Sequence, residues 1–178
     1  FTNARLIDPE AGTDGLGSLT VKDGVILARE EKAPKGAQVI DCGGKCLAPG
    51  IVDLGVKIGE PGERHRESFG SAGQAAAAGG GTTIIARPDT HPAIDTPETL
   101  GFVTRRATEA PVRIRHMAAL TKGRDGREMT EIGFLRDAGA IAFSDVFRVS
   151  TEAKAITRAM AYAKSLGALV VGHPQDPG

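Results

Sequence analysis

Short apolar segments alternate with helical patterns from residue 50 onward, and this alternation constrains the fold more than any other feature of the sequence. The apolar segments are residues 51–56, 82–86, 112–117, 140–143 and 168–171, and the helical patterns between them are residues 67–78, 96–108, 128–138 and 151–166. Successive units lie about 26 to 30 residues apart, a spacing typical of βα repeats that place parallel strands in one sheet. The sequence therefore predicts an α/β fold, either a (β/α) barrel or a doubly wound sheet.

The first 48 residues lack this alternation and predict a small β-sheet lobe. Strand-like apolar runs occupy residues 4–7, 18–21, 25–27 and 38–41, and the Asp-Gly pair at residues 23–24 is a hairpin signal. We therefore expect an N-terminal β lobe at residues 1–48, as part of a composite β-sandwich, and the first five βα units of a barrel at residues 49–178. A closed barrel has eight such units, so we expect this chain to be the amino-terminal portion of a longer protein.

The charge balance favours neither a nucleic-acid nor a membrane partner. Twenty-two basic and 22 acidic side chains cancel, so no net field would attract an anionic polymer or lipid surface. No apolar run approaches the length of about 20 residues that a membrane helix needs, and the amino end lacks a signal-peptide pattern. Cys42 and Cys46 have no further metal ligands nearby, so we interpret them as reduced thiols. We expect a cytoplasmic protein.

Residues 47–62 read Leu-Ala-Pro-Gly-Ile-Val-Asp-Leu-Gly-Val-Lys-Ile-Gly-Glu-Pro-Gly, a turn, a buried strand and a second turn. This segment resembles the first barrel strand of the cyclic amidohydrolases, most closely the type I dihydroorotases. In that family the strand ends in a His-x-His metal pair followed by Leu-Arg-x-Pro-Gly. Here the two histidine places hold Gly55 and Lys57, and the place of the substrate-binding arginine holds Gly59.

Further segments resemble the same family in order along the chain. They are residues 75–83 before the second strand, 87–92 and 95–98 after it, 118–123 at the third strand, 142–145 at the fourth, and His173 with Asp176 after the fifth. Segment 87–92 reads Arg-Pro-Asp-Thr-His-Pro and resembles the family's Met-Pro-Asn-Thr-x-Pro loop. The resemblance implies part of a (β/α)8 TIM-type barrel of the amidohydrolase superfamily. It also implies an enzyme of pyrimidine biosynthesis that interconverts dihydroorotate and N-carbamoyl-aspartate.

The chemistry that the resemblance implies depends on zinc, which lowers the pKa of its bound water to about 7 and so supplies a nucleophile. Two histidines at positions i and i+2 of a strand point to the same side and can bind one ion. Gly55 has no side chain to offer, and Lys57 at pH 7 is an ammonium group without a lone pair. The sequence therefore predicts a degenerate zinc site, with zinc absent or weakly bound.

The resemblance alone assigns metal-ligand or substrate-binding roles to three other residues. Asp145 and His173 take the places of metal ligands after the fourth and fifth strands, and two ligands are too few for a tight zinc site. Asp89 takes the place of a substrate-binding asparagine, so with Gly59 in the arginine's place we expect carboxylates to bind less well. We also expect Lys57 to replace the positive charge of the metal by pairing with Asp145.

The remaining three histidines receive no catalytic role. His116 ends the third strand and is expected to pack in the core. His65 is expected to be a solvated residue near a helix start, and His91 is either an ordinary turn residue or faces the cavity.

Three functions stay open at this point. The first is a dihydroorotase-like amidohydrolase with a degenerate metal site, inactive as given. No catalytic residue is assigned within this chain, because the family's proton-transferring aspartate would lie beyond Gly178. The second is a non-catalytic scaffold partner of a pathway enzyme such as aspartate transcarbamoylase, and the third is a hydantoinase- or allantoinase-like hydrolase. The candidate partners are accordingly a small cyclic amide, a transcarbamoylase or a second copy of the chain.

Overall fold

A computed structural model describes residues 1–28, 35–150 and 152–173. The chain divides into two compact units, Phe1–Gly50 and Ile51–Gly178. This division falls two residues after the predicted boundary between residues 48 and 49. The described residues include no helix that is both long enough and apolar enough to cross a membrane.

Residues 1–28 and 35–50 of the first unit contain five short strands. They are β1 Ala4–Asp8, β2 Thr13–Gly17, β3 Thr20–Lys22, β4 Val25–Ala28 and β5 Cys46–Leu47. Strand β1 lies between β2, which is antiparallel to it, and β5, which is parallel. Strands β3 and β4 form the predicted hairpin around Asp23 and Gly24, both of which have positive φ angles.

The predicted strand at residues 38–41 is wrong. Only Asp41 pairs, through a single parallel bridge to Thr2. The chain then turns at Gly43 and Gly44, which have φ angles of 55° and 77°, so that β5 rather than the preceding segment extends along β1. Asp176, which the resemblance placed after the fifth strand, lies outside the described residues.

The second unit is built on a parallel sheet with the strand order β6-β7-β8-β9. The strands are β6 Ile51–Val56, β7 Gly81–Ala86, β8 Arg113–Ala118 and β9 Ala142–Phe143, and the helices are α1 Phe69–Ala78, α2 Pro97–Ala107, α3 Ile132–Asp137 and α4 Ala153–Ser165. The predicted fifth strand is reduced to one parallel bridge between Val170 and Phe143. The α/β fold with consecutive parallel strands is confirmed.

The two faces of this sheet are buried to different extents. Because side chains alternate along a strand, Ile84 faces the main core while Ile85 faces the opposite side. The main core also holds Leu100 of α2 and Leu135 of α3, which are fully buried. On the opposite side Ile85 belongs to a smaller cluster with Met117 and Ala142. The helices therefore cover one face and leave the carboxyl ends of the strands open to the loops that follow them.

Helix α3 begins later than the sequence predicts, at Ile132 instead of residue 128. Met129 forms an antiparallel bridge with Thr121, and the Thr130 hydroxyl donates to the Ala119 carbonyl at 2.8 Å. These bonds hold residues 129–130 in an extended path against the loop after β8, so the helix cannot start before them. The same bonds fix the loop that lies beside the predicted metal-ligand position Asp145.

Candidate functional site at the carboxyl ends of the parallel strands

The predicted site residues lie at or just after the carboxyl ends of the parallel strands. Gly55 and Lys57 belong to the end of β6, Asp89 follows β7, Asp145 follows β9, and His173 follows the bridge at Val170. This edge is where a parallel α/β sheet places its chemistry. We call it the mouth of the sheet.

Gly55 occupies a backbone conformation that histidine would adopt only with strain. Its φ angle is +81°, and the pairing register of β6 and β7 shifts between Leu54 and Val56. A Cβ atom placed on Gly55 would lie 3.9 and 4.0 Å from the Cδ and Cγ atoms of Arg87. Left-handed φ angles are uncommon for residues with a Cβ atom. Position 55 is therefore occupied by a bend of the backbone, with an arginine beside it.

Lys57 pairs with Glu63 and not with Asp145, so the predicted Lys57–Asp145 pair is wrong. The Lys57 Nζ atom lies 3.2 Å from Glu63 Oε2, and the Lys57 side chain is 46% exposed. The hydrogen bond from Lys57 is the largest cause that lowers the pKa of Glu63 below its ordinary value. Glu63 also contacts Arg66 at 2.9 Å.

The Lys57–Glu63 ion pair depends on a tight turn at Gly59. The Glu63 amide donates to the Gly59 carbonyl at 2.6 Å, which closes a tight turn and brings the Glu63 side chain back toward Lys57. A Cβ atom at Gly59 would lie 2.5 Å from the Glu63 carbonyl oxygen, so no side chain fits there without moving the turn. The glycine in the arginine's place is thus required by this local path of the chain.

Asp145 is buried and its carboxylate accepts three hydrogen bonds. Oδ1 accepts from the amides of Leu120 at 3.1 Å and Thr121 at 3.0 Å, and Oδ2 accepts from the Thr121 hydroxyl at 2.6 Å. The Thr121 hydroxyl oxygen in turn accepts from the Gly126 amide at 2.9 Å. Asp145 therefore holds the loop after β8 in place, and all three of its donors are uncharged groups.

Asp89 forms an ion pair with Arg87, a residue for which the sequence predicts no role. Arg87 Nη2 donates to Oδ2 at 2.6 Å and Nε donates to Oδ1 at 3.1 Å, while the two side chains are only 16% and 12% exposed. The signal was present in the sequence, because Arg-Pro-Asp replaces the Met-Pro-Asn of the loop that it resembles. These two differences carry opposite charges and neutralise each other in the structure.

Arg87 is also held by an aromatic ring from the loop after β9. Its guanidinium carbon lies 4.8 Å from the centre of the Phe147 ring, a distance at which cation–π attraction operates. The Phe147 ring in turn meets His173 edge-on at 5.3 Å between ring centres. Arg87, Phe147 and His173 thus link the loops after β7 and β9 with the segment after Val170.

A cavity of about 440 Å³ opens beside this group, and both predicted metal-ligand residues line it. Its other lining residues are mainly apolar and include Val146, Ile156 and Met160. The structure therefore brings Asp145 and His173 to one cavity, while the Asp89 carboxylate is turned toward Arg87.

His116 is a buried residue of the core side of the sheet, as predicted. It is 3% exposed, neither ring nitrogen has a hydrogen-bond partner, and its ring lies edge-on to Phe69 at 5.7 Å between ring centres. Burial lowers the pKa of His116 to about 4, so the ring is neutral at pH 7. His65 and His91 are exposed.

Comparison with known proteins assigns this arrangement to a family. A profile described as "Dihydro-orotase-like" matches residues 44–178. The chain belongs to the dihydroorotase-like family. A dihydroorotase from Streptococcus pneumoniae is 37% identical over 177 residues, and one from Pelobacter propionicus is 36% identical over 177 residues. These alignments cover 99% and 98% of this chain but 42% of each relative, so the chain spans about two fifths of their length.

Solved hydantoinase structures have the same fold over nearly the whole of this chain. The L-hydantoinase (dihydropyrimidinase) of Arthrobacter aurescens gives a TM-score of 0.81 at 24% identity, covering 98% of this chain and 40% of that protein. The D-hydantoinase (dihydropyrimidinase) of a Thermus species gives 0.77 at 21% identity, with the same coverage. The predicted partial barrel fold is confirmed by these matches.

The families named in these comparisons are typically metal-dependent. The residues at the mouth offer few free ligands to a metal ion. Gly55 offers no donor atom, Lys57 is paired with Glu63, and the Asp145 oxygens already accept three hydrogen bonds. Within residues 1–28, 35–150 and 152–173, no three His, Cys, Asp or Glu side chains are grouped so that they could hold an ion. The donor set in this part of the chain does not fit a tetrahedral zinc site.

Proposed function

We propose that this dihydroorotase-like protein does not hydrolyse dihydroorotate by zinc catalysis and acts in pyrimidine biosynthesis as a non-catalytic scaffold for a pathway enzyme such as aspartate transcarbamoylase. The observation that carries the proposal is the position of Arg87. The Cγ and Cδ atoms of its side chain lie beside Gly55, the position at which the resemblance puts a metal-binding histidine, and its guanidinium group is held by Asp89 and Phe147.

The Arg87–Asp89 ion pair offers no free ligand to a divalent cation. Arginine stays charged at all relevant pH values, so it cannot become a ligand by losing a proton. Its charge is compensated by Asp89, which leaves no carboxylate of this pair free to attract an ion. A neutral ion pair thus lies in a region where a zinc hydrolase would use a metal ion.

The scaffold role is supported by the contrast between the mouth and the rest of the sheet. The parallel strands and the helix-covered core follow the family architecture closely enough to give a TM-score of 0.81 with a relative of the superfamily. The motif positions that differ from the family pattern include Gly55, Lys57 and Gly59, and also Arg87 and Asp89 in the loop after β7. A protein selected for its surface and shape tolerates such changes, whereas a zinc hydrolase does not.

Metal content and turnover of the native protein at its full length test the first half of the proposal. We expect substoichiometric zinc by mass spectrometry of the purified protein and no hydrolysis of dihydroorotate or hydantoin above the blank. The dihydroorotase of Streptococcus pneumoniae, prepared in parallel, serves as the positive control. Stoichiometric zinc together with turnover would show that ligands from other parts of the protein complete the site, and would favour a dihydroorotase or the hydantoinase-like alternative.

Restoring the two imidazoles separates the effect of Arg87 from that of the missing ligands. We expect Gly55→His with Lys57→His to remain poor in zinc, because the backbone bend at residue 55 and the neighbouring guanidinium persist. Adding Arg87→Met should raise zinc retention. If the double variant alone binds zinc as tightly as the control enzyme, Arg87 is not the obstacle.

Association with the transcarbamoylase of the same organism tests the second half. We expect the two proteins to co-elute in size-exclusion chromatography and the transcarbamoylase to lose assembly or activity when this protein is omitted. A transcarbamoylase that assembles equally well alone, with no co-elution, would contradict the scaffold role.

A further inference from the structure

Two arginine side chains near the cavity have no carboxylate partner among the described residues, although Arg87 beside them has one. In the described part of the chain, no carboxylate oxygen lies within 4 Å of the charged nitrogens of Arg124 or Arg148. Arg124 Nη1 donates only to the main-chain carbonyl of Asp145, at 3.4 Å. Arg148 Nη1 donates to the carbonyls of Gly123 and Arg124, at 3.4 and 3.3 Å. Both guanidinium groups therefore keep most of their donors unused.

Arg124 is the less usual of the two. It is partly buried, and its Nε atom is buried without any hydrogen-bond partner. Its φ angle is +58°, a left-handed conformation that is uncommon for a residue with a side chain and that clusters at functional positions. Burial is the largest cause that lowers the pKa of Arg124 from its ordinary value, with Asp89 and Asp145 acting in the opposite direction.

The loop that carries Arg124 is held firmly from both sides. The Thr121 hydroxyl accepts from the Gly126 amide, and the Ser150 hydroxyl donates to the Gly126 carbonyl at 2.7 Å. A Cβ atom at Gly126 would lie 2.7 to 2.9 Å from three atoms of Ser150, so the two segments approach each other as closely as a glycine permits. The loop after β8 and the loop after β9 thus present Arg124 and Arg148 from a fixed backbone.

Among the described residues, the charges next to the cavity are unbalanced toward the positive side. Three guanidinium groups (Arg87, Arg124 and Arg148) face two carboxylates, and Asp89 is already committed to Arg87. The Asp145 carboxylate is directed at the backbone of the loop after β8. An oxyanion would supply the missing negative charge and accept from the unused donors, because the planar fork of arginine matches carboxylate and phosphate oxygens.

The neighbouring cavity fits the remainder of such a ligand. Arg148 lines it directly, and Arg124 contacts its wall through the Asp145 carbonyl. Its apolar lining by Val146, Ile156 and Met160 suits an uncharged organic group of small size.

We propose that Arg124 and Arg148 bind the oxyanion, a phosphate or a carboxylate, of a small organic molecule whose apolar part occupies the 440 Å³ cavity. This site goes beyond the proposed function and does not rest on it, since ligand binding here requires neither zinc nor hydrolysis.

Titration of the full chain with two probes tests the site and distinguishes the two kinds of oxyanion. Inorganic phosphate and succinate are added separately in NMR or calorimetric titrations, with sodium chloride at matched ionic strength as the reference. We expect saturable binding of at least one probe, with Arg124→Gln and Arg148→Gln each weakening it about tenfold. Arg124→Lys, which keeps the charge but loses the fork, should fall between the wild type and Arg124→Gln.

Arg136→Gln is the matched control, because Arg136 is an exposed arginine of the same unit and its removal changes the net charge equally. Circular dichroism confirms that each variant is folded, and Arg148 is exposed, so its replacement leaves the core intact. The proposal is wrong if neither probe binds above the chloride reference, or if Arg136→Gln weakens binding as much as the Arg124 and Arg148 variants.

Discussion

The ends of β6 and β9 lie in the same parallel sheet but are built in opposite ways. At the end of β6 the backbone bends at Gly55, and Lys57 makes one half-exposed ion pair with Glu63. After β9 the carboxylate of Asp145 is buried and holds three hydrogen bonds to Leu120 and Thr121. The side-chain interaction at the end of β6 is a half-exposed ion pair. After β9 a buried carboxylate fixes the loop after β8 in place, and we call this arrangement a structural joint.

This contrast shows that resemblance to a ligand position and function as a ligand are separate matters. The resemblance puts Asp145 at an acidic metal-ligand position, and in the structure its carboxylate accepts hydrogen bonds from the loop after β8. Gly55 and Lys57, which make no buried hydrogen-bond network like that of Asp145, are the residues at which the first-strand motif differs from the family pattern. The joint after β9 should therefore resist substitution far more than the end of β6.

The largest effect is expected from Asp145→Ala. The change leaves two buried amides and a hydroxyl without their acceptor, and we expect a loss of about 4 kcal/mol in the free energy of unfolding. Urea denaturation followed by circular dichroism measures it. Asp137→Ala, at an exposed position of α3, is the control and should change stability by less than about 0.5 kcal/mol. If Asp145→Ala and Asp137→Ala lowered the free energy of unfolding equally, Asp145 would not be a structural joint.

The second effect concerns His116, a buried polar group that, unlike Asp145, has no partner. Its pKa of about 4 lies below the ordinary value of 6.5, so between these pH values the unfolded chain binds more protons than the folded one. Stability should therefore fall as the pH decreases from 6.5 to 4, by about 3 kcal/mol from this residue.

His116→Leu isolates that contribution because it removes the titrating group and keeps a similar volume. We expect the variant to be at least as stable as the wild type at pH 7 and to lose about 3 kcal/mol less on acidification to pH 4. Denaturation curves at several pH values measure the difference. Parallel pH profiles for the two proteins would contradict the assignment of a neutral, unpartnered histidine.

Gly55→Ala probes the bend at the end of β6 and should have a smaller effect. A Cβ atom at a φ angle of +81° costs about 1 to 2 kcal/mol, while the nearest atoms of Arg87 lie far enough away to avoid a clash. Gly70→Ala, inside helix α1, is the opposite control and should raise stability by up to about 1 kcal/mol. If Gly55→Ala is neutral, the bend is not fixed by the glycine.

Lys57→Met is expected to have the smallest effect. The pair with Glu63 is at the surface, with side chains 46% and 22% exposed, so its loss should cost less than about 1 kcal/mol. The pKa of Glu63 should rise toward its ordinary value, which a titration followed by NMR would detect. A loss as large as that of Asp145→Ala would mean that both strand ends are structural joints.

The fold could be predicted from the sequence because its signals are local. The segment at 51–56 is strand β6 with the same bounds, but residues 51–54 are exposed and not buried as predicted. The apolar runs that follow are parallel strands separated by helices. Strand β2 was not predicted, because Thr13–Gly17 has a single large apolar residue and pairs with β1 through its backbone. The sequence extends helix α3 too far because its bounds depend on distant bonds to Ala119 and Thr121.

The site could be predicted only in part. The positions of Asp145 and His173 beside one cavity agree with the family frame, while their roles as ligands stay predictions. The pairing of Lys57 could not be derived, because it depends on the tight turn between Gly59 and Glu63, which only the three-dimensional path of the loop defines. The sequence motif predicts at which strand end a residue lies, but the tertiary structure determines which side chain it contacts.

The Thr121 hydroxyl offers a way to follow the motion of the loop after β8 in time. Its oxygen accepts from the Gly126 amide while its hydrogen is donated to Asp145, so the direction of that hydrogen is determined. Such an enclosed hydroxyl exchanges slowly with water, and the exchange rate of its proton, measured by NMR, would report how often the loop opens.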